Sequence, residues 1–319
     1  METNVFPTVE FKAMNTEIIA MSRDDSSRPY WLTPVVRWYE EVEQIASRFQ
    51  PNSELSRFNR SPEHEQVLLS PLLYSMIRSA WSWVGKTDGL FQLFVGSDLL
   101  RLGYDRSFDQ IGDAERESIG PSVSCRESLS AKPDLFFDDA HKAVARSSVA
   151  LLDLGGMGKG WTTDRAAALL RERFRLPAGL VDAGGDLIVW ADREPWRIGV
   201  QNPFNESEEW FQLWIKEGAA ATSNVIYRRW EHRGETHHHI LDGRTGEPAQ
   251  TDIVQATVLG HSVEEAEVAA KVICMLGTAH LSEWMNAHFS HLGYIAVTNE
   301  GKTIINRNVY QYAERVIPL

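Results

Sequence analysis

The sequence predicts a mixed α/β protein in which mixed sheets are flanked by helices. Three features support this class: short apolar runs of strand length, longer stretches with apolar residues at helical spacing, and glycine- or proline-rich turns between them. The chain has 319 residues, 43% of them hydrophobic, so it can build a sizeable core without disulfides or structural metals. We expect one domain over residues 1–319, with a polar loop or insertion at about 106–140.

The first half of the chain predicts one strand followed by three helices. Ser53 and Ser56 are suitable caps for the second helix, and Gly85 is expected to stop the third. In chain order the predicted elements are a strand over 9–21, an amphipathic helix over 33–48, a short helix after Ser53, and a helix over 68–84.

The second half predicts several strands and two helices. Thr162 or Thr163 is expected to cap the first of these helices, and Gly277 to end the second. In chain order we expect a buried strand over 149–154, a glycine turn, a helix over 161–174, strands over 179–190, 196–203, 209–215, 218–223, 237–241 and 253–260, a helix over 264–276, and a hairpin over 293–306.

Charge and composition exclude several classes of function. Against 32 Lys and Arg stand 44 Asp and Glu, a net charge of -12, which argues against a nucleic-acid groove but not against a small anionic ligand. Two cysteines cannot form a disulfide framework or a Cys-based zinc site. No apolar run is long enough to span a membrane, and the opening residues do not resemble a signal peptide. As written, the sequence predicts a cytoplasmic protein, or a periplasmic one if the start is misplaced.

The segment GGMGKG, residues 155–160, has several features of a phosphate-binding turn. Its glycines permit a close backbone approach, the following helix supplies unpaired N–H groups, and Lys159 adds a positive charge. It is not a Walker loop, because Gly160 stands where Ser or Thr should follow the lysine, and it is not a G-x-G-x-x-G motif. A purely structural glycine turn explains the segment equally well.

The segment HHHILDGRTG places three histidines before Asp242. Adjacent side chains of a strand point to opposite faces, so only His237 and His239 can share one. Asp242 follows the predicted strand, where general bases and anion ligands often lie. An exposed histidine run beside an Asx turn at Asp242 is the equally weighted alternative.

Three other features favour a structural interpretation. Glu267 and Lys271 are four residues apart on one predicted helix, a spacing typical of an exposed ion pair worth about 0.2–0.5 kcal/mol. Gly184 and Gly185 predict a tight bend or a bulge between two apolar runs. The following aromatic residues are expected to pack in a core rather than stack on a cofactor: Trp81, Trp83, Phe91 and Phe94.

Taken in order, nine segments resemble the FAD:protein FMN transferase family, the ApbE proteins. Together they cover nearly the whole chain: KAMNTE, RFQPNSELSRFN, DGLFQLFVG, LLDLGGMGKGWTTD, VDAGGDL, WRIGVQNP, ATSN, HHILDGRTGEP and EEAEVAAKVICMLG. The resemblance implies an α/β fold that holds FAD in a cleft. It also implies a transferase that, with magnesium, moves the FMN half of FAD onto a Thr or Ser hydroxyl of an acceptor protein and releases AMP.

The resemblance also implies roles for individual residues. His239 and Asp242 match the family's His-x-x-Asp, in which the histidine is the expected base for the acceptor hydroxyl. The Gly158 carbonyl, Glu267 and Lys271 fall at magnesium-ligand positions. The positions implied to bind the flavin cofactor are Met14, Phe49, Phe91, Gln92, Gly155, Lys159, Trp161 and Leu241.

Several of these positions depart from the family's usual residues. Glu267 and Lys271 stand where the family reads Asp and Thr, and an ammonium group cannot ligate a metal ion. We therefore expect Lys271 either to turn away or to occupy the cation's place and pair with Glu267. The other departures are Asn15 for Gly, Gln92 for Asp, Asn224 for Gly and Gly243 for Pro.

These departures leave three functions open. The first is the transferase itself. The second is a flavin-binding protein without transfer activity, which the altered Glu267 and Lys271 favour. The third is an FAD pyrophosphatase that gives FMN and AMP, with water replacing the acceptor hydroxyl at the same site.

Overall fold

A computed structural model describes residues 6–23, 29–111 and 133–319, and it confirms the predicted α/β class. The chain divides into two compact units. The first unit comprises Met1–Glu40, Met157–Tyr227 and Gln250–Leu319, and the second comprises Glu41–Gly156 and Arg228–Ala249. The expectation of one catalytic domain stays a prediction. None of the helices in the described ranges is long and apolar enough to cross a membrane.

The helices of the described chain vary in length from one turn to more than four. In order they are α1 (Leu32–Ala46), α2 (Glu54–Asn59), α3 (Pro71–Lys86), α4 (Gly96–Arg101), α5 (Gly158–Ala168), α6 (Val263–Leu276), α7 (Thr278–His288) and α8 (Val309–Tyr312). A 3-10 turn lies at Phe108–Gln110, and a π-helical turn at Leu169–Arg173 follows α5 directly.

The strands are short and most are joined by tight turns. In order they are β1 (Thr8–Ala13), β2 (Thr16–Ser22), β3 (Val67–Leu68), β4 (Leu135–Asp138), β5 (Ala143–Arg146), β6 (Gly179–Ala183), β7 (Leu187–Trp190), β8 (Trp196–Asn202), β9 (Asn205–Ile215), β10 (Glu217–Asn224), β11 (Arg229–His232), β12 (Glu235–His238), β13 (Leu241–Asp242), β14 (Glu247–Pro248), β15 (Ile253–Gly260), β16 (Gly293–Thr298), β17 (Thr303–Ile305) and β18 (Ala313–Pro318).

The first unit is built on an eight-stranded antiparallel sheet in the order β1-β2-β6-β7-β10-β15-β16-β17. Its central strands are buried on both faces, so they read as continuous apolar runs. In β7, Ile188 and Trp190 pack into one hydrophobic cluster with α1 and α5. The alternate residues Leu187 and Val189 pack into another with the sheet β18-β9-β8. The large sheet is therefore a middle layer, with α6 packed on β10 and β15.

The second unit contains α2, α3, α4 and three small sheets. These sheets are β3-β5-β4 and the pairs β11-β12 and β13-β14, all antiparallel. Leu99 and Leu102 pack with Trp230 and Leu241, which fixes α4 beside β11 and β13. Of the aromatic residues expected in a core, Trp83, Phe91 and Phe94 are buried, as predicted.

The predicted strand over 9–21 is wrong in one respect, because it is a hairpin. Met14 and Asn15 adopt left-handed backbone conformations with φ of 52° and 59°, and they turn β1 back onto β2. Asparagine tolerates this region well, but methionine does not, so the alternating pattern alone did not indicate a turn.

The predicted strand over 149–154 does not form. Leu152 and Leu154 are buried as expected, but the neighbouring backbone bonds to side chains and to a loop instead of a sheet partner. The Leu152 N–H donates to the Asn59 side-chain oxygen over 2.9 Å, and the Leu152 carbonyl accepts from its amide nitrogen over 2.9 Å. One asparagine therefore satisfies both backbone groups of Leu152.

The helix predicted over 161–174 begins three residues earlier, at Gly158. Lys159 and Gly160 are therefore in its first turn and not in a preceding loop. Thr162 and Thr163 are not caps, because both are buried inside the helix. Their hydroxyls bond to the Gly158 carbonyl and to the Tyr39 hydroxyl.

The remaining predicted helices are confirmed, and Ser53 is the cap of α2. The expected stop at Gly85 is wrong, because α3 continues through Gly85 to Lys86 and is capped by Thr87. Gly277 ends α6 with a positive φ of 70°. The strand predicted over 237–241 ends at His238, and a second strand begins at Leu241. Within the predicted loop at 106–140 the described part contains β4, whereas Cys125 lies outside the described residues.

Candidate functional site

The residues predicted to form the site are divided between the two units. Those in the first unit are Met14, Gly158, Lys159, Trp161, Glu267 and Lys271. Those in the second unit are Phe49, Phe91, Gln92, Gly155, His239, Leu241 and Asp242.

Four charged side chains of the first unit form one group, which we call the lysine–carboxylate cluster: Lys159, Asp186, Glu267 and Lys271. The Lys159 Nζ lies 2.9 Å from Glu267 Oε1, and the Lys271 Nζ lies 3.0 Å from the same oxygen. Lys159 also forms an ion pair with Asp186. The other oxygen of Glu267, Oε2, accepts the backbone N–H of Gly160 over 2.7 Å.

Local structure explains how these groups meet. Glu267 and Lys271 are one turn apart on α6 and share a face. Lys159 is in the first turn of α5, and Asp186 follows the tight turn at Gly184–Gly185 that leads into β7. That turn was predicted from the two glycines, whose φ values are 68° and 92°.

Gly160 is the residue that lets the two helices approach. A Cβ atom at this position would lie 2.7 Å from the Cα of Glu264 on α6. The absence of a side chain therefore brings the N-terminal end of α5 against α6 and its N–H within reach of Glu267. This supports the structural interpretation of part of the glycine-rich segment.

The cluster is buried and balanced in formal charge, with two ammonium groups facing two carboxylates. Glu267 is 0% exposed and Asp186 is 2% exposed. Burial would raise the pKa of Glu267, but Lys159 and Lys271 together outweigh it and hold that pKa below its usual range. Glu267 is therefore ionised at neutral pH.

The sequence predicted an exposed pair at Glu267 and Lys271, and this is wrong because the pair is buried. Periodicity shows that the two residues share a helix face but not that α5 covers that face. Asp186 was missed, although its position directly after two glycines at a strand start was a usable signal.

The residues at the implied magnesium positions do not suit that ion. Lys271 offers three N–H donors and no lone pair when charged. Both oxygens of Glu267 already accept hydrogen bonds, and the Gly158 carbonyl accepts the Thr162 hydroxyl over 2.7 Å. Across residues 6–23, 29–111 and 133–319, the structure contains no group of three or more His, Cys, Asp or Glu arranged to hold a metal.

Trp161 and Met14 are the other two predicted site residues in the first unit. Trp161 is 1% exposed, and its ring stacks on Trp38 with centroids 6.0 Å apart. Its indole N–H is buried with no hydrogen-bond partner among the described residues. Met14 occupies the β1–β2 turn and is half-buried against the core.

In the second unit, Asp242 is held by Arg244. The Arg244 Nε and terminal nitrogen lie 3.0 and 2.6 Å from the two carboxylate oxygens, and its backbone N–H donates over 2.9 Å. Burial would raise the pKa of Asp242, but these hydrogen bonds lower it below its usual range. The Asx turn at Asp242, the equally weighted structural alternative, does form, and Asp242 is an ionised acceptor at neutral pH.

Two departures from the family pattern, Gln92 and Gly243, lie against each other. A Cβ at Gly243 would be 2.4 Å from the Gln92 Cβ, and the Gly243 N–H donates to the Leu90 carbonyl over 2.9 Å. A proline at this position has no N–H and could not make that bond. The Gln92 side-chain oxygen accepts from the backbone N–H groups of Leu93 and Phe94.

The second unit also brings Phe49, Phe91 and the first two residues of the glycine-rich segment, Gly155 and Gly156, into one connected region. Gly156 packs so closely on the Phe91 ring that a Cβ would lie 2.8 Å from it. The Gly155 N–H donates to Asp153, which forms an ion pair with Arg48. The Arg48 guanidinium in turn stacks 4.1 Å from the centre of the Phe49 ring.

His239 lies at a bend between β12 and β13 and is half-buried, while Leu241 is buried in the α4 cluster. His238, which was not assigned a role, bonds to the Ala249 carbonyl over 3.0 Å. Burial lowers the pKa of His238, so it is neutral at pH 7.

The fold is similar to that of solved ApbE structures. The structure resembles the ApbE protein from Thermotoga maritima, with a TM-score of 0.82 and 23% identity, covering 97% of this chain and 99% of that one. It also resembles the flavin transferase ApbE from Vibrio cholerae, with a TM-score of 0.75 and 22% identity over 97% and 99% of the two chains.

The chain belongs to the ApbE family, whose sequence model matches residues 8–296. Two curated relatives are named FAD:protein FMN transferase. The one from Vibrio cholerae is 27% identical over 252 residues, which are 77% of this chain and 73% of the relative. The one from Treponema pallidum is 24% identical over 261 residues, which are 77% of this chain and 71% of the relative.

Proposed function

We propose that this chain is an FAD:protein FMN transferase, which moves the FMN half of FAD onto a Thr or Ser hydroxyl of an acceptor flavoprotein. The observation that carries the proposal is the family match over residues 8–296, together with relatives that bear this name. FAD is then a substrate and not a resident cofactor, and AMP is the second product.

The reaction is a phosphoryl-type transfer. The acceptor hydroxyl oxygen bonds to the phosphorus on the FMN side, the bond to the bridging oxygen breaks, and AMP leaves with that oxygen. In this proposal His239 accepts the hydroxyl proton, as a neutral imidazole can. Asp242, held by Arg244, positions the loop that carries His239 and does not itself act as the base.

The flavin-binding residues are proposed on the same basis. Phe49, Phe91, Gln92 and Gly155 lie in one connected region of the second unit, which supports a shared ligand. In the first unit, the buried indole N–H of Trp161 supports a ligand acceptor near the start of α5. Met14, Lys159 and Leu241 complete the proposed set.

Only the family resemblance implies magnesium, and the proposed attack of the hydroxyl, loss of AMP and proton transfer to His239 do not involve it. The proposed ligand positions Gly158, Glu267 and Lys271 suit magnesium poorly, because their oxygens already accept hydrogen bonds and the Lys271 ammonium is a donor. We propose the cytoplasm as the compartment of this chain, with the periplasm as the alternative, and fractionation of cells with an antibody to the chain would distinguish the two.

The test is to incubate the protein with FAD and a candidate acceptor, then measure released AMP and covalent flavin fluorescence of the acceptor. We expect both products in equal amounts, and His239→Asn to slow both by about 10²–10⁴-fold. His141→Asn, at a side chain 74% exposed in the same unit, is the matched control and should leave the rate unchanged.

The same assay separates the alternatives. AMP without labelled acceptor would identify an FAD pyrophosphatase. Neither product, with FAD still bound, would identify a flavin-binding protein, the alternative that the engaged Glu267 and Lys271 favour. An unchanged rate in His239→Asn would contradict the assigned base.

A further inference from the structure

Glu267 is surrounded by donors on both of its oxygens. Oε1 faces two ammonium groups at 2.9 and 3.0 Å, and Oε2 faces the Gly160 N–H at 2.7 Å. The carboxylate is 0% exposed, so these partners shield it from bulk solvent. A metal ion at Oε1 would have to approach the oxygen within about 2.1 Å, in the presence of two ammonium groups already bound there.

Lys271 supplies one of the two ammonium groups at Glu267 Oε1 from the same helix. Its stem belongs to α6, four residues from Glu267, and its side chain is 11% exposed. Its ammonium is therefore attached to the same helix as Glu267, and its positive charge is supplied by the fold. A dissociable cation would instead depend on its concentration in solution.

The charge balance of the lysine–carboxylate cluster depends on Lys271. With Lys159 and Lys271 opposite Asp186 and Glu267, the formal charge of these four side chains is zero. Burial raises the pKa of the nearby Asp182, which favours its neutral form. Adding a divalent cation would leave an excess of two positive charges in a buried site, which is unfavourable. Removing the Lys271 ammonium would leave one excess negative charge and an open position at Oε1.

We propose that the ammonium of Lys271 occupies the place of a divalent cation beside Glu267, so that this chain binds FAD without magnesium. The FAD part of this inference rests on the proposed function, whereas the cation part rests only on the lysine–carboxylate cluster. Lys271 is here a positioning residue for charge and not a catalytic residue.

The first measurement uses the unmodified full chain. Titration of the chain with Mn²⁺ alone, monitored by electron paramagnetic resonance, should show no binding site with a dissociation constant below about 1 mM. The FAD dissociation constant, measured by flavin fluorescence, should change less than twofold between EDTA and 5 mM MgCl₂ buffers. A tight Mn²⁺ site, or tenfold tighter FAD binding with magnesium, would overturn the proposal.

Variants of Lys271 then test whether its ammonium is the group that keeps a divalent cation away from Glu267. Lys271→Thr places a hydroxyl at the open position and should bind Mn²⁺ at least tenfold more tightly than the unmodified chain. Lys271→Met keeps the length but offers only a thioether, a poor ligand for this metal, so it should gain less. Lys302→Thr, the same change at an exposed lysine, is the control and should gain nothing.

Equal Mn²⁺ binding by the unmodified chain and a folded Lys271→Thr would also overturn the proposal. If that variant does not fold, the measurement on the unmodified chain decides. Failure of the proposed function would be recognised separately, because a chain that binds neither FAD nor AMP can still be tested for Mn²⁺.

Discussion

At the scale of single residues, Glu267 is a buried carboxylate with a hydrogen-bond partner on each of its oxygens. A buried carboxylate is stable only when its charge is paired and its oxygens are hydrogen-bonded, because desolvation of a charge is costly. Here two lysines and the Gly160 N–H meet both requirements. The stability of the lysine–carboxylate cluster therefore depends on the charge of Glu267 and not only on the shape of its side chain.

Glu267→Gln should lower the free energy of unfolding by about 3–5 kcal/mol, because two buried ammonium groups lose a shared partner. Urea denaturation would measure the change. Glu265→Gln on the same helix, where the partner His291 is half exposed, should change it by about 0–1 kcal/mol. Equal effects of the two substitutions would contradict the importance of the buried charge.

The same substitution should alter the response to acid. The pKa of Glu267 lies below its usual value of 4.5. The contribution of its ionised carboxylate to the free energy of unfolding is therefore complete above pH 4.5 and is lost as the pH falls through the folded-state pKa. Stability curves measured between neutral and acidic pH should therefore converge for the unmodified chain and Glu267→Gln. Curves that stay parallel over that range would contradict this assignment.

At the scale of elements, α5 and α6 cap each other. Met157, at the cap position of α5, makes no side-chain hydrogen bond there, and Glu267 of α6 accepts the Gly160 N–H instead. In return, Asp164 of α5 accepts the N–H groups of Val263 and Glu264 at 2.8 and 3.1 Å. Each helix thus satisfies backbone donors at the start of the other.

Asp164→Ala should lower the free energy of unfolding by about 1–3 kcal/mol, since two backbone N–H groups at the start of α6 lose their acceptor. Asp164→Asn keeps one acceptor oxygen and should lose less. Thermal or urea denaturation of both variants would measure the difference, and an unaffected Asp164→Ala would show that water replaces the cap.

Gly160→Ala should destabilise the chain by about 1–3 kcal/mol, because the new Cβ meets the backbone of α6 at 2.7 Å. Gly85→Ala is the matched control. Gly85 lies exposed in α3 with no atom within 4 Å of an added Cβ, so alanine there should stabilise by about 0.5–1 kcal/mol. Denaturation curves that shift in the same direction for both variants would contradict the close helix approach.

At the scale of the whole molecule, the described chain forms two compact units, and the large sheet of the first is buried on both faces. Cys274 lies in this interior, on α6, with its sulfur 3.7 Å from the Ser223 carbonyl of β10. Burial raises its pKa to about 12, so the reactive thiolate is scarce at neutral pH.

Cys274 should therefore react with iodoacetamide only when the first unit unfolds. Peptide mass mapping after labelling at pH 8 in increasing urea should give a midpoint for Cys274 that coincides with that of unfolding by circular dichroism. Rapid labelling of Cys274 in buffer alone would show that the packing of α6 on the sheet opens locally.

The long amphipathic helices were predicted correctly, whereas the helices α4, α7 and α8 and the β1–β2 turn were missed. The spacing of apolar residues placed α1, α3 and α6 within a few residues, because amphipathic periodicity depends on neighbours along the chain. The β1–β2 turn was missed because the left-handed conformation of Met14 has no residue signature. The segment 149–154 was mistaken for a strand because apolar runs do not show whether Asn59 or another strand satisfies their backbone.

The sequence by itself determined the α/β class, the ApbE resemblance and the identity of most candidate site residues, since motifs and periodicity are local properties. Only the tertiary structure decided how those residues are used. It buried the Glu267–Lys271 pair and added Lys159 and Asp186 to it. Burial and charge pairing are set by segments far apart in the chain, so the environment of a charged side chain is decided by packing and not by its neighbours in sequence.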